Sequence, residues 1–314
     1  MQRVALPADP RAESLPVVFL TGASSGLGLA LARRLARGPW RLVLSARTDS
    51  LARFQAAGLG ENERTAIVPL DVTRAAERRA AVAAATARFG RIDALVNNAG
   101  VAYRSVLEHV RDDERLAQMD VNFLAPMELV RLVLPQMRAR RAGRIVNVSS
   151  VGGMMAMPTM AVYSASKFAL EGASEALWYE VRPFGVAVTL VEPGFVHSES
   201  FANTRETQDS ARSIVADDDP YHAHYEHMQP FIARLMRLSR STPDFVAGRI
   251  ERALTMRSPP LRMSGTPDAF LFTALRRLLP RRLYHALLYR GLPGIARWGA
   301  GGTPGLRAER TRQG

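Results

Sequence analysis

Thr21-Gly22-Ala23-Ser24-Ser25-Gly26-Leu27-Gly28 is the stretch whose reading decides the fold. It follows an apolar run at residues 16–21 and leads into residues 26–37, where Leu27, Ala30, Leu31 and Leu35 recur at helical spacing. A strand that turns on glycines directly into a helix gathers backbone N–H groups and the positive end of the helix at one point. A phosphate can approach there. The spacing is Gly-x-x-x-Gly-x-Gly, not Gly-x-Gly-x-x-Gly, and a turn that merely needs positive φ would read the same way. The candidate phosphate cradle is Gly22, Ser24, Ser25, Gly26, Leu27 and Gly28.

Working outward, further apolar runs fall at residues 41–45, 66–70, 92–96, 144–149 and 186–191, with a last one at 261–264. Helical patterns lie between them at 74–89, 112–140, 162–181 and 244–256, with Pro126 and Pro135 as expected kinks in the long one. Near-continuous apolar strands alternating with helices predict a parallel sheet covered on both faces. Right-handed crossovers then give a doubly wound α/β fold in three layers, α/β/α. We expect an N-terminal arm at 1–14, this Rossmann-like unit at 15–265, and a basic, helical C-terminal extension at 266–314.

Composition narrows the chemistry. The chain has no cysteine, which excludes disulfides, thiolate metal sites and cysteine nucleophiles. No run approaches the length of a membrane span, and Pro7, Asp9, Pro10, Arg11 and Glu13 interrupt any signal-peptide pattern, so a cytoplasmic protein is expected. The net charge is +13, of which residues 270–314 carry +8, so the excess is local and gives no nucleic-acid signature. Of the 42 Lys and Arg residues, a single one is lysine, Lys167. It follows Tyr163 by four positions in Tyr163-Ser164-Ala165-Ser166-Lys167, which puts ammonium and phenol on one helix face about one turn apart. A compact cation there eases loss of the phenolic proton, a task the broad guanidinium suits less well.

The second apolar run ends in Ser45-Ala46-Arg47. A dinucleotide site for NAD usually offers a carboxylate at this point; Ala46 followed by Arg47 suits a 2′-phosphate instead, and NADP(H) is favoured over NAD(H). Asp49 is the counter-indication, because it reaches the ribose hydroxyl if the loop folds back.

At these residues the chain resembles the short-chain dehydrogenase/reductase family, over about residues 15–265. The resemblance is carried by an ordered set: residues 21–28, Asp71-Val72, Asn97-Asn98-Ala99-Gly100, Asn122, Ser150, Tyr163-x-x-x-Lys167 and Pro193-Gly194. It implies an oxidoreductase that interconverts an alcohol and a ketone or aldehyde. Tyr163 would be the general acid or base, Ser150 would hold the substrate oxygen, and Lys167 would bind the ribose hydroxyls and lower the Tyr163 pKa. Asn122 would position a relay water. Asp71 and Val72 would border adenine; Asn98, Ala99 and Gly100 would line the cleft; and Pro193, Gly194, Val196 and Ser198 would flank nicotinamide. Of the adjacent serines, family spacing selects Ser150 over Ser149.

The segment at about 195–243 breaks the alternation, is polar and irregular, and is expected to act as a lid. Phe201, Tyr221, Tyr225, Met228, Phe231 and Met236, with Met154, Met155, Met157 and Met160, are its candidate apolar walls. His222, His224 and His227 lack metal-ligand spacing and read as a solvated loop; no metal is expected. In the extension, residues 270–279 and 283–288 form two short amphipathic helices around Pro280, rich in Arg. They pack on the protein or a second subunit, or lie on an anionic membrane. Similar tails in members resembling retinol and hydroxysteroid dehydrogenases suggest a bulky apolar substrate, and the family suggests a homodimer through residues 112–140 and 162–181. Two other readings stand beside this one: a non-catalytic NADP(H)-sensing scaffold, and a membrane-surface lipid-modifying reductase.

Overall fold

The computed structural model describes residues 15–197 and 204–299; Ser198, Phe201, the N-terminal arm and the residues after 299 lie outside it. Seven strands pair in parallel: β1 (Val17–Leu20), β2 (Arg41–Ala46), β3 (Thr65–Pro69), β4 (Ala94–Asn97), β5 (Gly143–Val148), β6 (Val186–Glu192) and β7 (Arg262–Ser264). Their order is β3-β2-β1-β4-β5-β6-β7. The chain winds outward from β1 to β3, returns to β4, and winds the other way. A crevice therefore opens beyond the carboxyl ends of β1 and β4, the place where such sheets bind ligands.

The helices are α1 (Gly26–Ala36), α2 (Ala52–Ala56), α3 (Ala75–Phe89), α4 (Asp112–Met119), α5 (Ala125–Arg140), α6 (Ala161–Val181), α7 (Gln208–Val215), α8 (His222–Leu238), α9 (Pro243–Thr255), α10 (Pro267–Leu278) and α11 (Arg281–Arg290). Strand side chains alternate faces, which divides the core in two. Val18, Leu20, Leu42 and Leu44 meet Leu31 and Leu35 of α1 and Val246, Ile250 and Leu254 of α9. On the other face Val17, Phe19, Leu95 and Ile145 meet Ala81 and Ala85 of α3, Leu129 and Val133 of α5, and Val181 of α6. Ala81 and Ala85 keep α3 close to the sheet, and Gly90, at φ 77°, ends that helix in the left-handed region. Truncating a fully buried Leu31 or Ile250 to Ala costs about 2–5 kcal/mol.

Three expectations are corrected. The stretch 112–140 is interrupted by a π-turn at Asp120–Leu124, and Pro126 stands in the first turn of α5, which continues directly from it. Within the segment after Pro193, the described residues from Thr207 on are largely helical: Thr207 caps α7 through Ser210 N, and α8 follows. His222, His224 and His227 are on α8 rather than in a solvated loop, and they are partly buried. His222 and His227 bond to the carbonyls of Ser213 (2.9 Å) and Ala223 (2.7 Å), and the His224 ring lies 4.3 Å from that of Trp298.

Candidate functional site

The glycine turn is pinned against β4. Thr21 Oγ1 accepts from the backbone N–H of Asn98 (3.0 Å) and Ala99 (3.1 Å), and Asn98 Nδ2 donates back to the carbonyls of Thr21 (3.0 Å) and Gly22 (3.1 Å). Gly22 has φ 64°, and a Cβ there would stand 2.9 Å from Ala99 Cα. A Cβ on Gly28 would collide with the Gly22 carbonyl oxygen. Ser25 caps α1 without a side-chain bond, so the first amides of that helix face the crevice with no side chain answering them. This is a cradle that a pyrophosphate fits.

Along the crevice, Asp71 Oδ1 accepts from Thr73 N (3.0 Å) and Oγ1 (2.7 Å). Burial pushes the Asp71 carboxyl up, but these bonds together with Arg74 and Arg47 outweigh it and hold it below the usual range. Val72 is buried beside it, and its carbonyl accepts from Arg78. Arg47 is exposed just beyond β2, its Nε 3.7 Å from Asp49 Oδ1. Opposite, Pro193 O accepts from Val151 N (2.7 Å), and Val196 packs on the α1 side of the core.

The reactive groups converge where β4, β5 and α6 meet. Tyr163 and Lys167 share α6, and Lys167 Nζ stands 6.0 Å from the Tyr163 ring centre. Burial pushes the Tyr163 phenol up, and a hydrogen bond from Ser150 draws it partly back. Burial lowers Lys167 to about 8, against the opposing pull of Glu171. In the protein alone, burial is the dominant influence on the phenol. Ser150 Oγ also accepts from Gly152 N at 3.0 Å, whereas Ser149 turns to Glu171, so the two serines do face opposite ways. Asn122 lies in the π-turn, a helix defect frequent at functional sites. Its Oδ1 accepts from Val101 N (2.9 Å), while Nδ2 donates to Val101 O (2.8 Å) and Ser166 Oγ (3.0 Å). Both amide protons are thus committed to fixing the loop after Gly100 beside α6.

Two sets of contacts escaped the sequence reading, although Asn97 itself stands in the motif at residues 97–100. Asn97 Nδ2 donates to Asn147 Oδ1 (2.8 Å) and Asn147 Nδ2 to Ser174 Oγ (2.8 Å), a buried ladder tying β4 and β5 to α6 under the site. Polar residues at otherwise apolar strand positions were its signal. At the start of α10, Thr266 Oγ1 accepts from Gly194 N and Asp268 Oδ2 from Phe195 N, each at 2.8 Å, so the extension clamps the segment after Pro193.

The lid candidates are held by neighbouring segments. Tyr225 Oη accepts from Val106 N (3.1 Å) and meets His109 Nδ1 (3.0 Å). Met228 packs on Phe195 and Ile232, with Phe231 and Met236 around them; Met155 packs under α10 and α11 with Val151 and Tyr284. Among the described residues no group of His, Asp and Glu is placed to hold a metal, and no helix is long and apolar enough to cross a membrane.

With this geometry in view, comparison with known proteins is decisive at the level of family. A family model described as short chain dehydrogenase matches residues 16–209. Retinol dehydrogenase 8 of Bos taurus is 32% identical over 289 residues, 89% of this chain and 92% of its own. 17-beta-hydroxysteroid dehydrogenase type 1 of Homo sapiens is 35% identical over 264 residues, 80% of this chain and 77% of its own. The crystal structure of a short-chain dehydrogenase from Streptomyces avermitilis, 32% identical, aligns with a TM-score of 0.72 over 88% of this chain and 96% of that one. Less similar solved relatives hold NADP (a metagenomic enzyme, 28% identical, TM-score 0.61, 80% and 97% covered) or NAD (from Burkholderia phymatum, 26%, 0.70, 87% and 95%). The chain belongs to the short-chain dehydrogenase/reductase family. It is an NAD(P)-dependent oxidoreductase acting on CH–OH groups.

Proposed function

We propose that this chain is an NADP(H)-dependent alcohol dehydrogenase and carbonyl reductase for a bulky apolar substrate. The observation that carries the reading is the convergence of Ser150 on Tyr163 with Lys167 one turn along α6. The nicotinamide cofactor, when bound, supplies or takes up the hydride. Everything else falls to the chain. Tyr163, its phenol held up by burial, is protonated at neutral pH and ready to donate to a carbonyl oxygen; in the reverse direction it receives the alcohol proton. Ser150 Oγ donates to the same oxygen as negative charge develops on it. Lys167 Nζ spends one proton on the Val148 carbonyl at 3.0 Å and keeps two donors for ribose hydroxyls. Because both Asn122 amide protons are committed, a relay water is held by the backbone of its π-turn rather than by the amide.

NADP(H) rests on Arg47, exposed at the end of β2 where a carboxylate would favour NAD. The segment carrying α7 and α8 covers the substrate. The substrate class rests on the similarity to a retinol and a hydroxysteroid dehydrogenase. A homodimer fits the exposed Leu116 and Tyr179 on α4 and α6, and Leu124 in the π-turn between α4 and α5.

The test is steady-state turnover of bulky apolar ketones, aldehydes and their alcohols with NADPH or NADP, beside cofactor titration by fluorescence. Cofactor binding with no turnover across the panel would instead favour the sensing scaffold.

A further inference from the structure

Beside α6 lies a second concavity, of about 590 Å³, that includes none of the residues named above for the cofactor crevice. Arg276 and Arg277 of α10, Arg281 and His285 of α11, and the apolar Met154 and Phe168 line it. Its floor holds Glu171 and Arg262. Arg262 is committed: its guanidinium reaches Glu171 (3.1 Å), Glu175 (2.8 Å) and Glu192 (3.5 Å). The three extension arginines are not. Among the described residues none of them forms an ion pair; Arg276 lies over the Phe168 ring at 5.2 Å, and Arg277 acts on Glu192 only through space. An arginine-rich surface ordinarily finds carboxylates, and the family fold explains no accumulation of unmatched guanidinium groups at one hollow.

A second observation points to a ligand. Tyr284 lines the same concavity, is 5% exposed, and its buried hydroxyl has no hydrogen-bond partner. A buried phenol left without a partner costs about 1–3 kcal/mol, and an acceptor arriving in the hollow removes that cost. Three forked cations and an O–H outnumber the one open acceptor, the unpartnered Oε1 of Glu171, so the group they suit is an anion with several oxygens that keeps one proton for Glu171. The apolar wall of Met154 and Phe168 suits a hydrocarbon substituent on it.

We infer that this concavity is a binding site for a phosphoryl group carried on an apolar substituent, held by Arg276, Arg277, Arg281 and the Tyr284 hydroxyl. The ligand backs directly onto the catalytic region: Gly153 and Met154 follow Ser150 in the chain, and Glu171 is one turn beyond Lys167. The phosphoryl group comes from a soluble phosphate ester or from a lipid headgroup. Leu278, Leu271 and Leu287, all more than half exposed, leave room for the second source.

The test is titration of the full chain with hexyl phosphate and with inorganic phosphate by calorimetry, and sedimentation with vesicles of phosphatidylcholine with or without phosphatidic acid. Arg277→Ser/Arg281→Ser and Tyr284→Phe are compared with the parent. The arginines are exposed, so folding should hold, and melting temperature and NADPH affinity verify it. Hexyl phosphate should bind, about tenfold or more weakly to the double variant and measurably more weakly to Tyr284→Phe. Vesicle capture that needs phosphatidic acid and is lost in both variants assigns the lipid source; binding of the soluble ester without capture assigns the soluble one. No binding of any phosphate probe, or binding that both variants retain at parental strength, overturns the inference.

Discussion

Lys167 donates a 3.0 Å hydrogen bond from Nζ to the carbonyl of Val148, the last residue of β5. The bond ties the middle of the catalytic helix to the strand end that precedes Ser150, and it aims the remaining protons of the ammonium into the crevice. Because burial lowers this lysine from 10.5 to about 8, its charge is lost within reach of ordinary buffers. Below that value the group is the ammonium that the proposed function places on the ribose hydroxyls; above it the group is neutral. NADPH affinity should therefore be flat to about pH 8 and then weaken by about tenfold per pH unit. Fluorescence titration between pH 7 and 9.5 checks this, and an unchanged dissociation constant would count against the role. In stability the sign is reversed. The unfolded chain holds this proton up to 10.5, so the lysine's contribution to stability rises with pH from about 8. In Lys167→Met the relief of the buried charge offsets the unsatisfied Val148 carbonyl, and thermal melts should move little while cofactor affinity collapses.

Tyr163→Phe removes one oxygen from a side chain whose ring packing is otherwise kept. Turnover should fall about 10²–10⁴-fold, the range of general acid–base catalysis, with NADPH affinity unchanged. Near-parental activity would sink the assignment of the proton to Tyr163.

Arg47→Ala tests the cofactor preference. The guanidinium is exposed, with Asp49 at 3.7 Å as its nearest ion partner, so it can turn to a 2′-phosphate without breaking a strong pair. A charge-assisted bond contributes about 1.5–3 kcal/mol, and kcat/KM with NADPH should drop roughly 10–100-fold while that with NADH stays level. An equal loss with both cofactors would make Arg47 a general contact; no loss would move the preference elsewhere.

Gly28→Ala probes the cradle itself. The added methyl meets the Gly22 carbonyl oxygen and Asn98 Nδ2, neither of which can retreat without unpinning the turn from β4. Stability should fall by about 1–3 kcal/mol and cofactor binding with it. Chemical denaturation and NADPH titration read the two effects separately. Gly172, like Gly28 inside a helix without positive φ, has nothing within 4 Å of a Cβ and so is the matched control without collision.

The sequence reading located the sheet because each strand is a short apolar run bounded by polar turns, and the Tyr163–Lys167 pair because both lie on one helix. It missed what depends on partners far along the chain. Residues 204–238 look polar, yet they fold as α7 and α8 because Tyr225, Tyr221 and Thr207 find Val106, Glu108 and Ser105 a hundred or so residues earlier. Thr266 and Asp268 look like an ordinary helix start, and only the fold shows that they bond Gly194 and Phe195. At the π-turn around Asn122, Pro126 marks a departure from regular helix just after it, but residue periodicity gives neither the kind of departure nor its extent.

Glu192, 1% exposed at the end of β6, adjoins the Pro193-Gly194 wall of the crevice and faces Glu171 across Arg262. Burial and the negative charge of Glu171 raise Glu192 from 4.5 to about 8, against the pull of Arg262 and Arg277. Between those two values the folded protein holds a proton that the unfolded chain has lost. The stability this provides is complete below about pH 4.5 and is progressively lost as pH rises to 8. Glu192→Gln keeps the size and an amide donor toward Glu171 but cannot ionise. Its stability should match the parent near pH 5 and exceed it at pH 8.5 by roughly 2–4 kcal/mol. Urea denaturation at the two pH values decides the matter: parallel profiles for parent and variant would show that the carboxyl pair does not titrate there, whereas divergence above neutrality would locate an alkaline weakness of the fold one residue from the cofactor wall.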